Sequence, residues 1–170
     1  MKATVTAESL RIREAGQRDR DGLVSIIERT ANLTREEKDC AEELLHIYLS
    51  DPGQTDYYFI TALKDAVVAG YACYGGRPLA QGVYDLYWII VDENMKGSGI
   101  GRALIEKTEE ILCGLGGRML VAETSGLPAY EASRGFYLKC GFEEEARIKD
   151  FYKPGDDIVF YVKRLTQKAK

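Results

Sequence analysis

The sequence has no long apolar run. No segment approaches the roughly 18 consecutive apolar residues of a membrane-spanning helix, and the N-terminal MKATVTAESL lacks the apolar core of a secretory signal. No membrane partner is expected. Metal-site spacing is also missing: Cys40, Cys73, Cys113 and Cys140 form no CxxC pair and have no histidine beside them, which argues against zinc and against a disulfide framework. They read as reduced, mostly core thiols of a cytoplasmic protein. The single histidine, His46, falls in a helical stretch and reads as structural or exposed. No basic block stands out before the last few residues, and 23 basic against 27 acidic residues give a net charge of −4, so a nucleic-acid surface is not expected. The phosphate templates GxGxxG and GxxxxGK[ST] are absent, which disfavours a dinucleotide or nucleoside-triphosphate site. Internal repeats, linkers and low-complexity segments are absent too.

What remains is an ordinary globular balance, 45% hydrophobic and 29% charged over 170 residues, enough for one domain over 1–170 with a buried core and frayed ends at 1–8 and 166–170. Ser9 to Glu14 alternates as a half-buried strand does, with Leu10 and Ile12 inward. Two helices follow. The first, near Asp19 to Thr30, repeats Leu23, Ile26 and Ile27 at helical spacing; the second has Thr34 and Glu37 in capping-box positions and an apolar stripe of Ala41, Leu44, Leu45 and Tyr48. Tyr57 to Leu63 and Val67 to Tyr74 read as an antiparallel hairpin, and Tyr84 to Val91 as a longer strand. A helix with Ile100, Ala103, Leu104, Ile111, Leu112 and Leu115 on its buried face leads into a strand at Arg118 to Thr124. A last helix from about Pro128 to Cys140, capped by Gly141, precedes strands Phe142 to Tyr152 and Asp157 to Leu165. The expected fold is therefore α/β: a mixed, mostly antiparallel sheet of about seven strands flanked by four helices, with one parallel βαβ crossover.

The crossover turns on Met95 to Gly101, MKGSGIG, between a strand and a helix. Gly97, Gly99 and Gly101 let the backbone approach a ligand closely and permit positive φ. Free amides of the helix's first turn, with the positive end of its dipole, then form an anion site suited to phosphate. A flexible turn with no ligand is the alternative at this stage.

Two motifs make the chain resemble the GNAT superfamily of acyl-CoA-dependent N-acetyltransferases. Lys96 to Gly101 matches [QR]xxGx[GA] with lysine in the first place, and Phe136 to Phe142, FYLKCGF, is similar to the family's FYxxxGF segment. The resemblance runs from Arg11 to Leu165 and implies acetyl-CoA as cosubstrate and an amine as acceptor; the cysteine spacing leaves no metal expected. Amides across Lys96, Gly97, Ser98, Gly99, Ile100, Gly101 and Arg102 would hold the pyrophosphate, with Arg102 adding charge. Main-chain groups of Ile89, Ile90 and Val91 would pair with pantetheine, in a splay between the fourth and fifth strands. The family commonly has a pantetheine-contacting asparagine six residues before Phe136; here Tyr130 stands there as the cofactor-side candidate. A homodimer is compatible with the resemblance.

Direct acetyl transfer needs a neutral amine, a polarised thioester carbonyl and a proton for the departing thiolate. Tyr137 matches the family's usual acid; its alternative is a plain core aromatic. Asp85, six residues before Val91, is the leading base, directly or through water, and Glu123 the second candidate. Strand alternation puts Asp85, Tyr87 and Ile89 on one face and Leu86, Trp88 and Ile90 on the other unless a bulge intervenes. Trp88 reads as core. The resemblance implies an acceptor groove between the first two helices and the last hairpin, where this chain has Glu36, Glu37, Glu42, Glu43, Asp150, Tyr152, Asp156 and Asp157 as its wall. Such a wall suits a cationic amine or is simply solvated surface. A competing reading from another class is a non-catalytic acyl-CoA-binding regulatory module.

Overall fold

Strand β1, Leu10–Glu14, lies at one edge of a seven-stranded sheet, which is why Leu10 is exposed while Ile12 packs inward. The computed structural model describes residues 10–166. The expected frayed ends therefore lie outside the described residues, except for Thr166. After β1 come helices α1, Arg20–Arg29, and α2, Arg35–Ser50. The α2 capping box forms as its sequence requires: Glu37 N–H donates to Thr34 Oγ1 at 3.2 Å, and Thr34 N–H donates to Glu37 Oε2 at 2.7 Å.

Strands β2, Tyr58–Lys64, β3, Val67–Gly76, and β4, Val83–Val91, continue the sheet antiparallel. Helix α3, Ile100–Gly114, crosses over to β5, Met119–Ser125, which runs parallel to β4. A short 3-10 turn at Pro128–Tyr130 leads into α4, Glu131–Lys139, and the chain ends in the hairpin β6, Glu143–Lys153, and β7, Asp156–Arg164. The strand order is β1-β2-β3-β4-β5-β7-β6, with β4 and β5 as the one parallel pair.

Strands β2 and β3 are buried almost throughout because helices cover both faces of the sheet. One core cluster joins Ile60, Ala62, Leu86 and Leu120 to Ile100, Leu104 and Leu112 of α3 and Tyr137 of α4. The other joins Phe59, Tyr71 and Ile90 to Leu23, Ile26 and Ile27 of α1 and Ala41, Leu44 and Leu45 of α2. Two expectations need correction. Leu115 is 64% exposed rather than core, because α3 stops at Gly114 and Leu115 lies in the closing turn, donating its N–H to the Ile111 and Leu112 carbonyls. Thr108 takes a buried place instead, its hydroxyl donated to the Leu104 carbonyl at 2.9 Å. Of the four free thiols, Cys73 and Cys140 are buried, but Cys113 is only half-buried and Cys40 is exposed on α2.

Candidate active site

Where β4 and β5 part, the sheet opens. Their pairing runs from Val83–Met119 to Leu86–Ala122 and stops; beyond it β4 stays with β3 as far as Val91, and β5 with β7 as far as Ser125. The β5-facing edge of β4 from Trp88 to Val91 thus has no strand partner, and an extended ligand can add there. A bulge accompanies the parting: Cys73 pairs with Trp88 but Tyr74 with Leu86, leaving Tyr87 as the extra residue. It reverses the alternation. Tyr84 and Leu86 share a core cluster with Ile89 and Val91, whereas Trp88 and Ile90 pack on the α1–α2 side. The alternation expected in the absence of a bulge therefore breaks at Tyr87, and Ile89 leaves the face of Asp85.

The opening leads into a cavity of ≈ 1660 Å³. From the strands it is lined by Asp85, Ile89, Ile90, Val91 and Glu123; from the glycine turn by Lys96, Gly97, Gly99, Ile100, Gly101 and Arg102; and from α4 and its approach by Tyr130 and Tyr137. Of the expected catalytic and cofactor-binding residues, Ser98 alone is outside the lining, its hydroxyl donated back to the Met95 carbonyl at 2.5 Å. Trp88, half-buried against the α1–α2 side, also lines the cavity, and His46 is exposed beside Ser50.

The glycines of the turn do different things. Gly97 and Gly99 have φ of 77° and 84°, and a Cβ on either would meet nothing within 4 Å. They serve backbone conformation. Gly101 is helical, and a Cβ there would stand 2.9 Å from Phe136 Cε2, so its smallness serves the close packing of α3 on α4. The first helical hydrogen bond of α3 runs from Ala103 N–H to the Gly99 carbonyl, so the amides of Ile100, Gly101 and Arg102 have no acceptor within the helix. Gly99 at the N-cap brings no side-chain oxygen to fill that place. An anion fits there. Asp92 anchors the approach, accepting from Asn94 N–H at 2.9 Å and from Arg29 of α1 at 2.8 Å while its own N–H reaches the Ala69 carbonyl. Lys96 pairs with Glu93 at 2.7 Å, and Arg102 donates to the Lys139 carbonyl at 3.0 Å.

Tyr137 is only 8% exposed and lines the cavity, with its ring against Phe136, Phe142 and Tyr161. Burial, with a smaller effect of Cys140, pushes its phenol well above the ordinary value. It stays protonated at neutral pH.

At the other end, Arg77 brings both predicted bases together. Its Nε donates to Asp85 at 2.9 Å and 3.1 Å, and its Nη2 contacts Asp85 Oδ1 and Glu123 Oε1 at 2.8 Å each. Asp85 is engaged through both oxygens, Glu123 through one. The sequence reading missed Arg77, which carries no motif and reaches the site only because β3 and β4 pair. Tyr130 donates its hydroxyl to Glu37, 2.8 Å from each carboxylate oxygen, so that hydroxyl is committed to α2. Burial first and Glu37 second hold this phenol up as well.

Of the expected acceptor wall, Glu36, Glu37, Tyr152 and Asp156 line the cavity and the other four do not. Glu42 sits by Arg35 on α2, and Glu43 is exposed. Asp150 and Asp157 shape the β6–β7 hairpin instead, accepting from Gly155 N–H at 2.6 Å and Asp150 N–H at 3.1 Å.

Comparison with known proteins is consistent with this geometry. The profile described as Acetyltransferase (GNAT) family matches residues 23–142. A structure from Desulfovibrio desulfuricans assigned to the GNAT acetyltransferases superposes with TM-score 0.88 at 39% identity, covering 93% of this chain and 100% of that one. A ribosomal-protein-alanine N-acetyltransferase from Brucella melitensis gives 0.70 at 26% identity, covering 91% and 99%. An aminoglycoside 6'-N-acetyltransferase complexed with coenzyme A gives 0.72 at 14% identity, covering 94% and 99%, a likeness of fold alone. No curated protein sequence matches the chain.

Proposed function

Because this chain belongs to the GNAT acetyltransferase family, we propose that it works as one domain that moves an acetyl group from acetyl-CoA directly to a primary amine. The observation that carries this reading is the coincidence, in one cavity, of an unpaired β4 edge, a helix start with free amides and a protonated buried phenol. Amides from Lys96 to Arg102 are the proposed pyrophosphate cradle, and Ile89 to Val91 the proposed rail for the pantetheine arm. The Tyr130 hydroxyl, turned to Glu37, supports a part in shaping the channel more than a pantetheine contact.

Bound acetyl-CoA supplies an activated acetyl thioester. On the protein side, Glu123 keeps Oε2 outside its ion pair with Arg77 and is the better placed acceptor for the amine's proton, directly or through water. Asp85, held through both oxygens, fixes Arg77. Tyr137 is the proton donor for the departing sulfur; its raised pKa keeps the proton available across the neutral range.

The reading is tested by thermal unfolding with acetyl-CoA and by release of free CoA with an amine panel. Saturable stabilisation and amine-dependent thiol release are expected. A Tyr137→Phe variant should lose roughly 100-fold or more in kcat while keeping its affinity for CoA. A melting temperature indifferent to millimolar CoA would sink the proposal, and CoA binding without transfer to any amine would favour the regulatory-module alternative.

A further inference from the structure

On the acetyl-transfer reading, the end of the cavity away from the glycine turn receives the acceptor. Asp156 opens β7 and is only 6% exposed, yet it lines the cavity. Its Oδ1 accepts the Ser125 hydroxyl at 2.5 Å. Ser125 Oγ in turn accepts Leu127 N–H at 3.0 Å, so the hydroxyl hydrogen is committed to Asp156. Among the described residues no ion pair reaches Asp156, and no hydrogen bond reaches its Oδ2. Oδ2 is not sealed from solvent and is open to a cationic donor entering the cavity. Here the uncommitted oxygen belongs to a residue that lines a substrate-sized space.

Its neighbours share the imbalance. Among the described residues Glu37 accepts only from neutral donors, the Tyr130 hydroxyl and Thr34 N–H. Glu123 divides one guanidinium with Asp85. Besides Arg77, the cation lining this end is Lys153, exposed on the hairpin. Tyr130 and Tyr152 stand among these carboxylates: after burial, Glu37 and Asp156 help to raise the first phenol, and Glu123, Asp156 and Glu37 the second. The opposite end carries Lys96, paired with Glu93, and Arg102 and Lys139 around the free amides. One cavity thus has a cationic end suited to phosphates and an anionic end beside Glu123. The Tyr130–Glu37 bond ties α2 to the start of α4 and favours a slender acceptor over a folded surface.

We infer that the acceptor is a small aliphatic amine bearing a second cationic group, which Asp156 and Glu37 hold beside Tyr130 and Tyr152 while the reacting amine meets Glu123. The second charge selects the substrate and takes no part in the transfer.

The experiment compares 1,4-diaminobutane, butylamine, 4-aminobutanoate and an uncharged N-terminal tripeptide. Binding to the CoA-saturated protein is measured by calorimetry, and kcat/KM by CoA release. Loss of a hydrogen bond to a buried charge predicts a diamine preference over butylamine of about tenfold to a hundredfold, with 4-aminobutanoate weaker than both. In Asp156→Asn the ratio of diamine to butylamine should fall toward one, and Ser125→Ala should lower it part of the way. CoA-induced stabilisation of each variant checks that it is folded. Equal binding and kcat/KM for diamine and butylamine, preference for the tripeptide, or an unchanged ratio in Asp156→Asn would overturn the inference while leaving acetyl transfer intact. Failure of CoA itself to bind would overturn both.

Discussion

Tyr130 and Glu37, 93 positions apart in sequence, meet through one hydroxyl hydrogen shared between two carboxylate oxygens at 2.8 Å each. The contact joins the N-terminal turn of α2 to the residue preceding α4, beside the splay of the sheet. Glu37 is at the same time the capping-box residue of α2, so helix start and cavity wall depend on one side chain. Tyr130→Phe should therefore lower the melting temperature by about 2–4 °C, for a partly exposed bond of about 1 kcal/mol. It should raise KM for the amine more than Kd for CoA. Unchanged values of both would remove the contact from the list of functional ones.

The shared guanidinium of Arg77 ranks the two candidate bases. Glu123→Gln removes the carboxylate with a free oxygen and should cost roughly 100-fold or more in kcat. Asp85→Asn loosens Arg77 and should cost less, about tenfold, with the amine KM also affected. Steady-state kinetics at fixed saturating acetyl-CoA decides between them. If Asp85→Asn is the more damaging change, the ranking is reversed.

Two glycines of one turn should fail in different ways. Gly101→Ala places a methyl 2.9 Å from the Phe136 ring and should destabilise the fold by about 1–3 kcal/mol through overpacking of α3 on α4. Gly99→Ala meets open space but must hold a φ of 84°, at about 1–2 kcal/mol, and it disturbs the cradle directly. Urea titration and CoA calorimetry on both variants should show the loss of CoA affinity concentrated in Gly99→Ala.

Asp19, 3% exposed, receives two hydrogen bonds from Arg13, at 2.7 Å and 2.8 Å, and one from Gly16 N–H. The Arg13 bonds hold its carboxyl below the ordinary range against the opposing effect of burial. Because the folded pKa is the lower one, the unfolded chain binds the proton first as pH falls. The stabilisation is present above the unfolded value of about 3.9 and is lost as pH falls through the folded one. Asp19→Asn should cost about 2 kcal/mol at neutral pH and less at pH 3, by urea unfolding at the two pH values. An equal cost at both would refute the linkage.

The sequence by itself determined the elements and their order, because local chemistry suffices for them: the Thr34–Glu37 capping box, the apolar stripes of α1 and α2, and the glycine turn before α3. It also marked the two motifs whose residues line one cavity, since their spacing is fixed by a strand, a turn and two helices. Only the tertiary structure decided which way β4 faces beyond Tyr87. One inserted residue reverses every later side chain, and no local signal announces it. The same holds for Arg77 between Asp85 and Glu123, for Tyr130 on Glu37 and for Ser125 on Asp156. Each of these contacts joins residues from separate elements. A charge's role is set by what the fold brings within about 3 Å of it, and that distance is not written along the chain.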